Sequence, residues 1–380
     1  MTSKQRVYET IMHREPDRVP VGEYGIDHDH VEKIIGRKTY WRNRKDTTLA
    51  LWQNRRDEVV EGMKRDCDAL VRALDYDVVT VDLVPPKSHY CEDPPRQTAD
   101  GVWEDGSGNV YRYAQSNDSI TCMTSASGIL ELTPDMVGSI EDAADRIDDS
   151  AFELVDFICE KYGNEKAVLF RGLNVAGFLD SPFGGDFCHS ISLSLLCPEE
   201  VKKLYGACFK HNRAIIERCR RSGVMIALDG HDFGMNIGCI ISPACIRDVY
   251  FPAMKAVNGI IAENGMLPFF HCCGNIWEIM DDYIDAGYVG FQSIQESAGM
   301  DTKKIKRLYG DRLTLWTGIQ CETLVSGTPA DVRDEVENRL EALMPGGGFI
   351  FGSTNSVQYG AKTENYLAAL DVLRNKGRYR

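Results

Sequence analysis

Long apolar runs, an excess of basic side chains and a secretion signal are all missing from this sequence. No apolar segment reaches the roughly 20 residues of a membrane span, and residues 1–6 lack the apolar core of a signal peptide. The 57 acidic side chains outnumber the 43 basic ones, for a formal charge of −14. An acidic surface disfavours nucleic acids and anionic membranes as partners. We therefore expect a cytoplasmic protein that binds neither.

Internal repeats, low-complexity linkers and a glycine-rich dinucleotide fingerprint are also absent. Without a linker or a shift in composition, we expect residues 1–380 to form a single domain. Because no glycine-rich fingerprint follows the first predicted strand, a dinucleotide-binding sheet is disfavoured. Cysteine, by contrast, is abundant. The 13 cysteines are expected to be reduced thiols, most of them packed in the core.

Short buried runs alternate with amphipathic segments along the chain, which predicts parallel strands joined by helices. The predicted strands are 19–22, 77–84, 167–171, 224–228, 267–271, 288–292, 313–317 and 348–351. The predicted helices are 4–13, 47–74, 134–146, 150–162, 198–221, 243–264, 275–285, 301–309, 329–343 and 364–375.

Eight such units predict an α/β fold, a (β/α)8 TIM barrel with an N-terminal helical extension. A doubly wound open sheet is the alternative. Residues 101–113 alternate around a glycine-rich turn, which predicts a β-hairpin inserted over one end of the barrel.

The stretch 269–275, Phe-Phe-His-Cys-Cys-Gly-Asn, places an imidazole and a thiol where the fifth strand ends. Residues i and i+2 of a strand point to the same side, so His271 and Cys273 converge whereas Cys272 faces away. A nitrogen and a sulfur at this spacing suit zinc. The alternative is that a buried histidine and cysteine simply pack there.

Other side chains at strand ends are candidates because TIM barrels carry their active sites at that rim. Cys321, after the seventh strand, is expected to complete a Cys2His zinc site with an open fourth position; otherwise it is a packing cysteine. Asp229 and His231 are predicted to be catalytic, as a ligand, a ligand's partner or a general base. The alternative is that Asp229 and Asp232 cap the next helix and form salt bridges there. The residues expected to bind substrate are Glu23, Tyr24, Asp82, Asn174, Gln292 and Asn355.

Several segments, in this order, resemble the uroporphyrinogen decarboxylase-like superfamily, in its corrinoid-dependent methyltransferase branch. They are 4–21, Ile-Ser-Pro at 241–243, His-Cys-Cys-Gly-Asn at 271–275, Gly-Thr-Pro-Ala-Asp-Val at 327–332 and Pro-Gly-Gly-Gly-Phe-Ile at 345–350. The resemblance spans nearly the whole chain and implies a (β/α)8 barrel. Residues 18–25 lack the arginine-rich motif with which true decarboxylases bind porphyrinogen carboxylates, and this favours the methyltransferase branch.

The resemblance also implies a zinc site, because His271 and Cys273 match the His-x-Cys pair of that branch. Its third ligand is usually a cysteine just after the last strand. Here residues 353–356 read Ser-Thr-Asn-Ser, so Cys321 or a carboxylate would substitute.

The implied activity is methyl transfer of the O-demethylase or methylcobamide type. The methyl group would move between a small methyl ether, amine or thiol and the cobalt of a cobalamin. A separate corrinoid protein would carry the cobalamin, because no segment here resembles a cobalamin-binding module. The chain could also form a homodimer.

Two other functions stay open. A metal-independent decarboxylase or lyase of the same fold would use Asp82, Asp229 and His231 without metal. A non-catalytic binding protein of the superfamily would have a closed barrel top. The metal content of the active protein distinguishes the metal-independent lyase from the zinc enzyme.

Overall fold

The computed structural model describes residues 1–123, 138, 142, 147–173, 175 and 187–379, with the backbone alone for 187–190. Asn174 and nearly all of the predicted helix at 134–146 lie outside the described residues.

Parallel strands form a curved sheet, and residues 21–22 join its two edge strands. The strands are β1 Val78–Val81, β2 Arg96–Ala99, β3 Val102–Glu104, β4 Val110–Ala114, β5 Ser119–Cys122, β6 Ala167–Leu173, β7 Ile226–Gly230, β8 Gly234–Met235, β9 Gly238–Cys239, β10 Leu267–His271, β11 Gly290–Gln292, β12 Thr314–Ile319 and β13 Phe349–Ser353. Seven of these thirteen strands form the curved parallel sheet, in the order β1-β6-β7-β10-β11-β12-β13. Val21 bridges Phe351 of β13, and Gly22 bridges Val78 of β1, both in parallel. The predicted TIM-barrel architecture is therefore confirmed.

Helices follow most of the parallel strands. Those described are Ser3–Ile11, His28–Ile35, Arg44–Trp52, Arg56–Leu74, Glu153–Tyr162, Phe187–Leu196, Pro198–Ser222, Pro243–Val249, Phe251–Glu263, Met280–Asp285, Thr302–Tyr309, Cys321–Ser326, Pro329–Leu343 and Thr363–Lys376. The predicted helix at 47–74 is split, since Asn54 adopts a left-handed φ of +56° between its two halves. None of the helices in the described part of the chain is long and apolar enough to cross a membrane.

Strand residues alternate between the barrel interior and the layer beneath the helices. On β7, Ile226 and Leu228 belong to the interior cluster, whereas Ala227 packs in the larger cluster against the helices. The interior cluster also contains Val78, Leu169, Phe269, Trp316 and Ile350, and it is closed at the N-terminal end by Val7 and Ile11. Because this alternation continues to the strand ends, it decides which polar side chains face the barrel mouth.

A buried ion-pair network fixes the segment that closes the barrel. The carboxylate of Asp77 is fully buried and accepts hydrogen bonds from Nη1 of Arg6 and Nη1 of Arg18, each at 2.7 Å. It also accepts the backbone N–H of Val21 at 2.9 Å. These bonds compensate for the cost of burying the charge, and they tie the N-terminal segment to the start of β1.

The inserted element is larger than the predicted hairpin. Strands β2 to β5 form a four-stranded antiparallel sheet, and the predicted hairpin supplies only its two central strands. The outer strand β2 is exposed along its whole length, so it lacks the apolar alternation that marks a strand in sequence. Arg44 holds this sheet to the barrel by donating from Nη1 to the backbone oxygen of Asn117 at 2.7 Å.

Candidate metal centre at the barrel mouth

Three side chains that commonly bind metals converge at the C-terminal ends of β7 and β10. Asp232, His271 and Cys273 each place one donor atom within 4.8 Å of the others. Nε2 of His271 lies 3.5 Å from Sγ of Cys273 and 3.8 Å from Oδ1 of Asp232. Cys272 points the other way and is fully buried, with Sγ accepting the backbone N–H of Phe233 at 3.3 Å. The alternation expected along this segment is thus present.

The three donors fit a zinc ion by chemistry and by spacing. Zinc with bonds of about 2.0–2.3 Å and tetrahedral angles separates its ligand atoms by about 3.3–3.8 Å, close to the two separations around Nε2 of His271. One imidazole, one thiolate and one carboxylate make a three-ligand set, which leaves a position open as in catalytic zinc sites.

Gln292 sets the orientation of His271. Its side-chain oxygen Oε1 accepts a hydrogen bond from Nδ1 of His271. Its amide nitrogen donates to the backbone oxygens of Ser353 at 3.3 Å and Asn355 at 3.0 Å, so the oxygen must face the histidine. Burial lowers the pKa of His271, which favours the neutral ring. The proton therefore sits on Nδ1 and the lone pair of Nε2 faces Asp232 and Cys273.

The thiol of Cys273 sits among hydrogen-bond donors. Sγ lies 3.1 Å from Oγ of Ser293 and 3.1 Å from Nδ2 of Asn355. Ser293 adopts a left-handed φ of +77°, a strained conformation of the kind found at functional sites. Burial and the nearby charge of Asp232 raise the pKa of the Cys273 thiol to about 12, although these two hydrogen bonds act to lower it. A bound cation displaces a thiol proton, and the two donors would then stabilise the thiolate.

Tyr24 covers the imidazole of His271 at the barrel mouth, and Arg171 lies over the ring of Tyr24. The rings of Tyr24 and His271 are stacked, with centroids 4.3 Å apart and planes at 19°. The guanidinium of Arg171 lies 4.7 Å from the centroid of Tyr24. Arg171 also forms a bidentate pair with Asp82, with Nε 3.0 Å from Oδ1. Of the residues expected to bind substrate, Tyr24 and Asp82 thus lie at the mouth.

Asp229 and His231 lie on the other side of the sheet. Asp229 accepts the hydroxyl of Tyr288 at 2.8 Å and the backbone N–H of Val175 at 3.0 Å. Nε2 of His231 lies 2.7 Å from the hydroxyl of Tyr283, in the layer beneath the helices. Their side chains bond to Tyr283 of the helix Met280–Asp285 and to Tyr288, on the side of the sheet away from the candidate metal centre.

Cys321 also lies apart from the group of three. Its Sγ is 3.5 Å from Oγ1 of Thr354 and 3.6 Å from the backbone oxygen of Ser356. The described part of the chain holds one group of three metal-ligand side chains within 4.8 Å, and Cys321 is not in it. We therefore replace Cys321 by Asp232 in the proposal below.

The other residues expected to bind substrate have different surroundings. Glu23 is buried between the barrel and the helix Thr363–Lys376, with Oε2 accepting Oγ of Ser353 at 2.6 Å. Gln292 contacts His271 and Asn355 contacts Cys273, so both side chains bond to the candidate metal centre. Asn174 lies outside the described residues.

Sequence reasoning did not identify Asp232 as a candidate ligand, although a signal for it was present. On β7, Leu228 faces the interior, so Gly230 and Asp232 share its side whereas Asp229 and His231 face outward. The same two-residue alternation that paired His271 with Cys273 thus selects Asp232. Ser293 had no comparable signal, because its left-handed backbone breaks the alternation.

These features define a parallel α/β barrel with a candidate metal centre at its C-terminal rim. The sequence profile of the uroporphyrinogen decarboxylase (URO-D) family matches residues 158–375, more than half of the chain. The chain therefore belongs to this family.

Comparison with solved structures agrees on the fold. A methyltransferase from Methanosarcina mazei aligns over 99% of both chains with a TM-score of 0.66 and 14% identity, a likeness that concerns the fold alone. The 3-keto-D-glucoside 4-epimerase YcjR from E. coli covers 63% of this chain and 87% of its own, with TM-score 0.35 and 10% identity. A D-psicose 3-epimerase from Clostridium cellulolyticum H10 covers 64% and 93%, with TM-score 0.33 and 12% identity. No curated protein sequence matches this chain.

Proposed function

We propose that this protein is a zinc-dependent methyltransferase. In this proposal it moves a methyl group between a small methylated ether, amine or thiol and the cobalt of a separate corrinoid protein. The convergence of Asp232, His271 and Cys273 at the barrel mouth carries the proposal. Membership of the URO-D family and the fold shared with a methyltransferase support it.

The ligands would be Nε2 of His271, Sγ of Cys273 and a carboxylate oxygen of Asp232. When bound, zinc supplies a Lewis acid that polarises the heteroatom carrying the methyl group. Gln292 holds the imidazole in the ligating tautomer. Ser293 and Asn355 direct donors at the Cys273 sulfur and so disperse the charge of its thiolate.

Asp232 has a second contact that orders the site. Its Oδ1 accepts the backbone N–H of Cys273 at 2.7 Å, so the carboxylate is held beside the sulfur before any ligand arrives. Its side chain is 54% exposed, which leaves the other oxygen accessible from the mouth. Tyr24 covers one face of the His271 ring and keeps water from it on that side.

The partner follows from the chemistry. A methyl group transferred to cobalt requires a cobalamin, and we recognise no cobalamin-binding module in this sequence. We infer that a corrinoid protein brings the cofactor to the rim formed by the ends of β7 and β10.

Methylation of cobalt tests this function directly. The zinc-loaded protein is incubated with a reduced corrinoid protein and with methoxylated, methylamine or methanethiol donors, and methylcobalamin is followed by its visible spectrum. We expect methylation with one donor class, and none with Cys273→Ser or without the corrinoid protein. Turnover of these donors without any cobalamin source would contradict the proposal.

The alternative, a metal-independent lyase, draws no support from Asp229 and His231, because their side chains bond to Tyr288 and Tyr283 beneath the helices. Decarboxylation by protein that contains no metal would favour it over methyl transfer.

A further inference from the structure

Two guanidinium groups meet at the end of the first barrel strand. A Cβ atom built on Gly25 would lie 2.7 Å from Nη1 of Arg42 and 3.0 Å from Nη1 of Arg171. It would also lie 2.6 Å from Cζ of Arg42, so any side chain here would push the guanidinium away. Glycine at this position lets two like charges approach the same point, and such an approach is unfavourable unless counter-charges offset it.

The two arginines differ in how many of their N–H groups form hydrogen bonds. Arg171 donates to both oxygens of Asp82 and to the backbone oxygen of Tyr24. Within the described part of the chain, Arg42 donates from Nε alone, to Oδ1 of Asp27 at 2.8 Å. Its two terminal nitrogens have no hydrogen-bond partner among the described residues. They form the planar fork that matches the two oxygens of a carboxylate.

The charge of Arg42 is also only partly compensated. Burial first, and then the neighbouring Arg171, lower the pKa of Arg42 although Asp27 opposes them. The carboxylate of Asp27 is shared between two partners, because its Oδ2 accepts the backbone N–H of Tyr359 at 2.9 Å. A buried cation in this state is stabilised by an incoming anion.

Tyr24 connects this pair of arginines to the candidate metal centre. It precedes Gly25, its ring stacks on His271, and Arg171 lies over that ring. Arg42 also lines a small cavity of about 20 Å³ with Trp41, which has room for about one water molecule. That cavity is too small for an organic ligand, so the proposal requires the ligand to approach Arg42 from the barrel mouth.

We propose that Arg42, backed by Arg171, binds a carboxylate on the methylated substrate while the methyl group faces Asp232, His271 and Cys273. The substrate would then be a small acid that carries a methylated heteroatom. The position of the methyl group rests on the proposed function, but the carboxylate subsite does not.

Matched pairs of charged and neutral probes test the subsite. Methoxyacetate is compared with methoxyacetamide, and 4-methoxybenzoate with 4-methoxybenzamide, by titration calorimetry on metal-free and zinc-loaded protein. We expect one acid to bind about 10- to 100-fold more tightly than its amide, the range of a charge-assisted hydrogen-bonded pair. Arg42→Gln should remove this preference, and Arg42→Lys should restore part of it, because lysine keeps the charge without the fork.

Arg44→Gln is the control, since the side chain of Arg44 donates to the backbone of Asn117, and it should retain the preference. If Arg42→Gln does not fold, Gly25→Ala displaces the same guanidinium and should lose the preference as well. A preference that survives in the Arg42→Gln or Gly25→Ala protein, or no preference in either pair, overturns the subsite. Dependence on Arg42 in metal-free protein supports it even if zinc binding and cobalt methylation fail, so the two proposals fail separately.

Discussion

Nε2 of His271 lies 3.5 Å from Sγ of Cys273, across a single intervening residue. The spacing places both donors on one side of the strand end, and a zinc ion fits between them at ordinary bond lengths. Gln292 and Asn355 hold the two side chains from behind.

Cys273→Ser should abolish tight zinc binding, because a serine hydroxyl is a poor zinc ligand. The loss should exceed the roughly 10- to 100-fold that removal of an outer partner costs. Zinc per chain after dialysis, by elemental analysis, measures it. Cys321→Ser is the matched control and should keep its zinc, since its thiol contacts Thr354 and Ser356. Equal loss in both variants would restore Cys321 as the third ligand.

Asp232→Asn and Asp229→Asn should separate metal binding from stability. Asp232→Asn should weaken zinc binding, because an amide oxygen is a weaker ligand than a carboxylate. Asp229→Asn should leave zinc binding unchanged but lower the free energy of unfolding by about 1–3 kcal/mol, since Asp229 is buried and accepts the hydroxyl of Tyr288. Metal titration and urea unfolding of both variants measure this. The reverse pattern would favour a catalytic site around Asp229.

Gln292→Leu should lower zinc affinity by about 10- to 100-fold, because it removes the acceptor that fixes the His271 tautomer. Competition with a chromogenic chelator gives the affinity. Gln295→Leu is the control, since Oε1 of Gln295 accepts the backbone N–H of Gly274 at 3.0 Å and holds the same loop without touching the imidazole. Similar losses in both variants would mean that loop order, not the tautomer, limits binding.

Glu23 should make stability depend on pH. Burial raises the pKa of Glu23 from an ordinary value of 4.5 to about 7, although the hydrogen bonds from Ser353 act to lower it. Between these two pH values the folded protein keeps a proton that the unfolded chain has released, so the free energy of unfolding falls as pH rises. The total fall is about 3 kcal/mol, at about 1.4 kcal/mol per pKa unit. Urea unfolding from pH 4.5 to 7.5 should show this fall in the wild type relative to Glu23→Gln. Parallel curves for the two proteins would mean that Glu23 is already ionised in the fold.

Asp77→Ala should lower the free energy of unfolding by about 3–5 kcal/mol, because it leaves Arg6 and Arg18 without their buried counter-charge. Urea unfolding measures the change. Asp311→Ala is the matched control, with a side chain that is 82% exposed, and it should change stability by less than about 0.5 kcal/mol. A small effect at Asp77 would mean that the backbone bridges alone hold the barrel closed.

The periodicity of the sequence determined the barrel and two of the three side chains of the candidate metal centre. Buried runs separated by amphipathic segments specify parallel strands and their order, because each apolar face must be buried locally. Alternation along one strand brings His271 and Cys273 together without reference to the rest of the chain. The exposed strand β2 escaped prediction because no apolar face marks it.

Only the tertiary structure decided which residues of other strands join that pair. Gly230 pairs with His271 across neighbouring strands, and this register brings Asp232, not Cys321, to the imidazole. Closure of the barrel likewise brings Asn355 to the sulfur of Cys273 and Arg42 beside Arg171. Register and closure are set by packing between segments far apart in sequence, and local patterns carry no information about that packing.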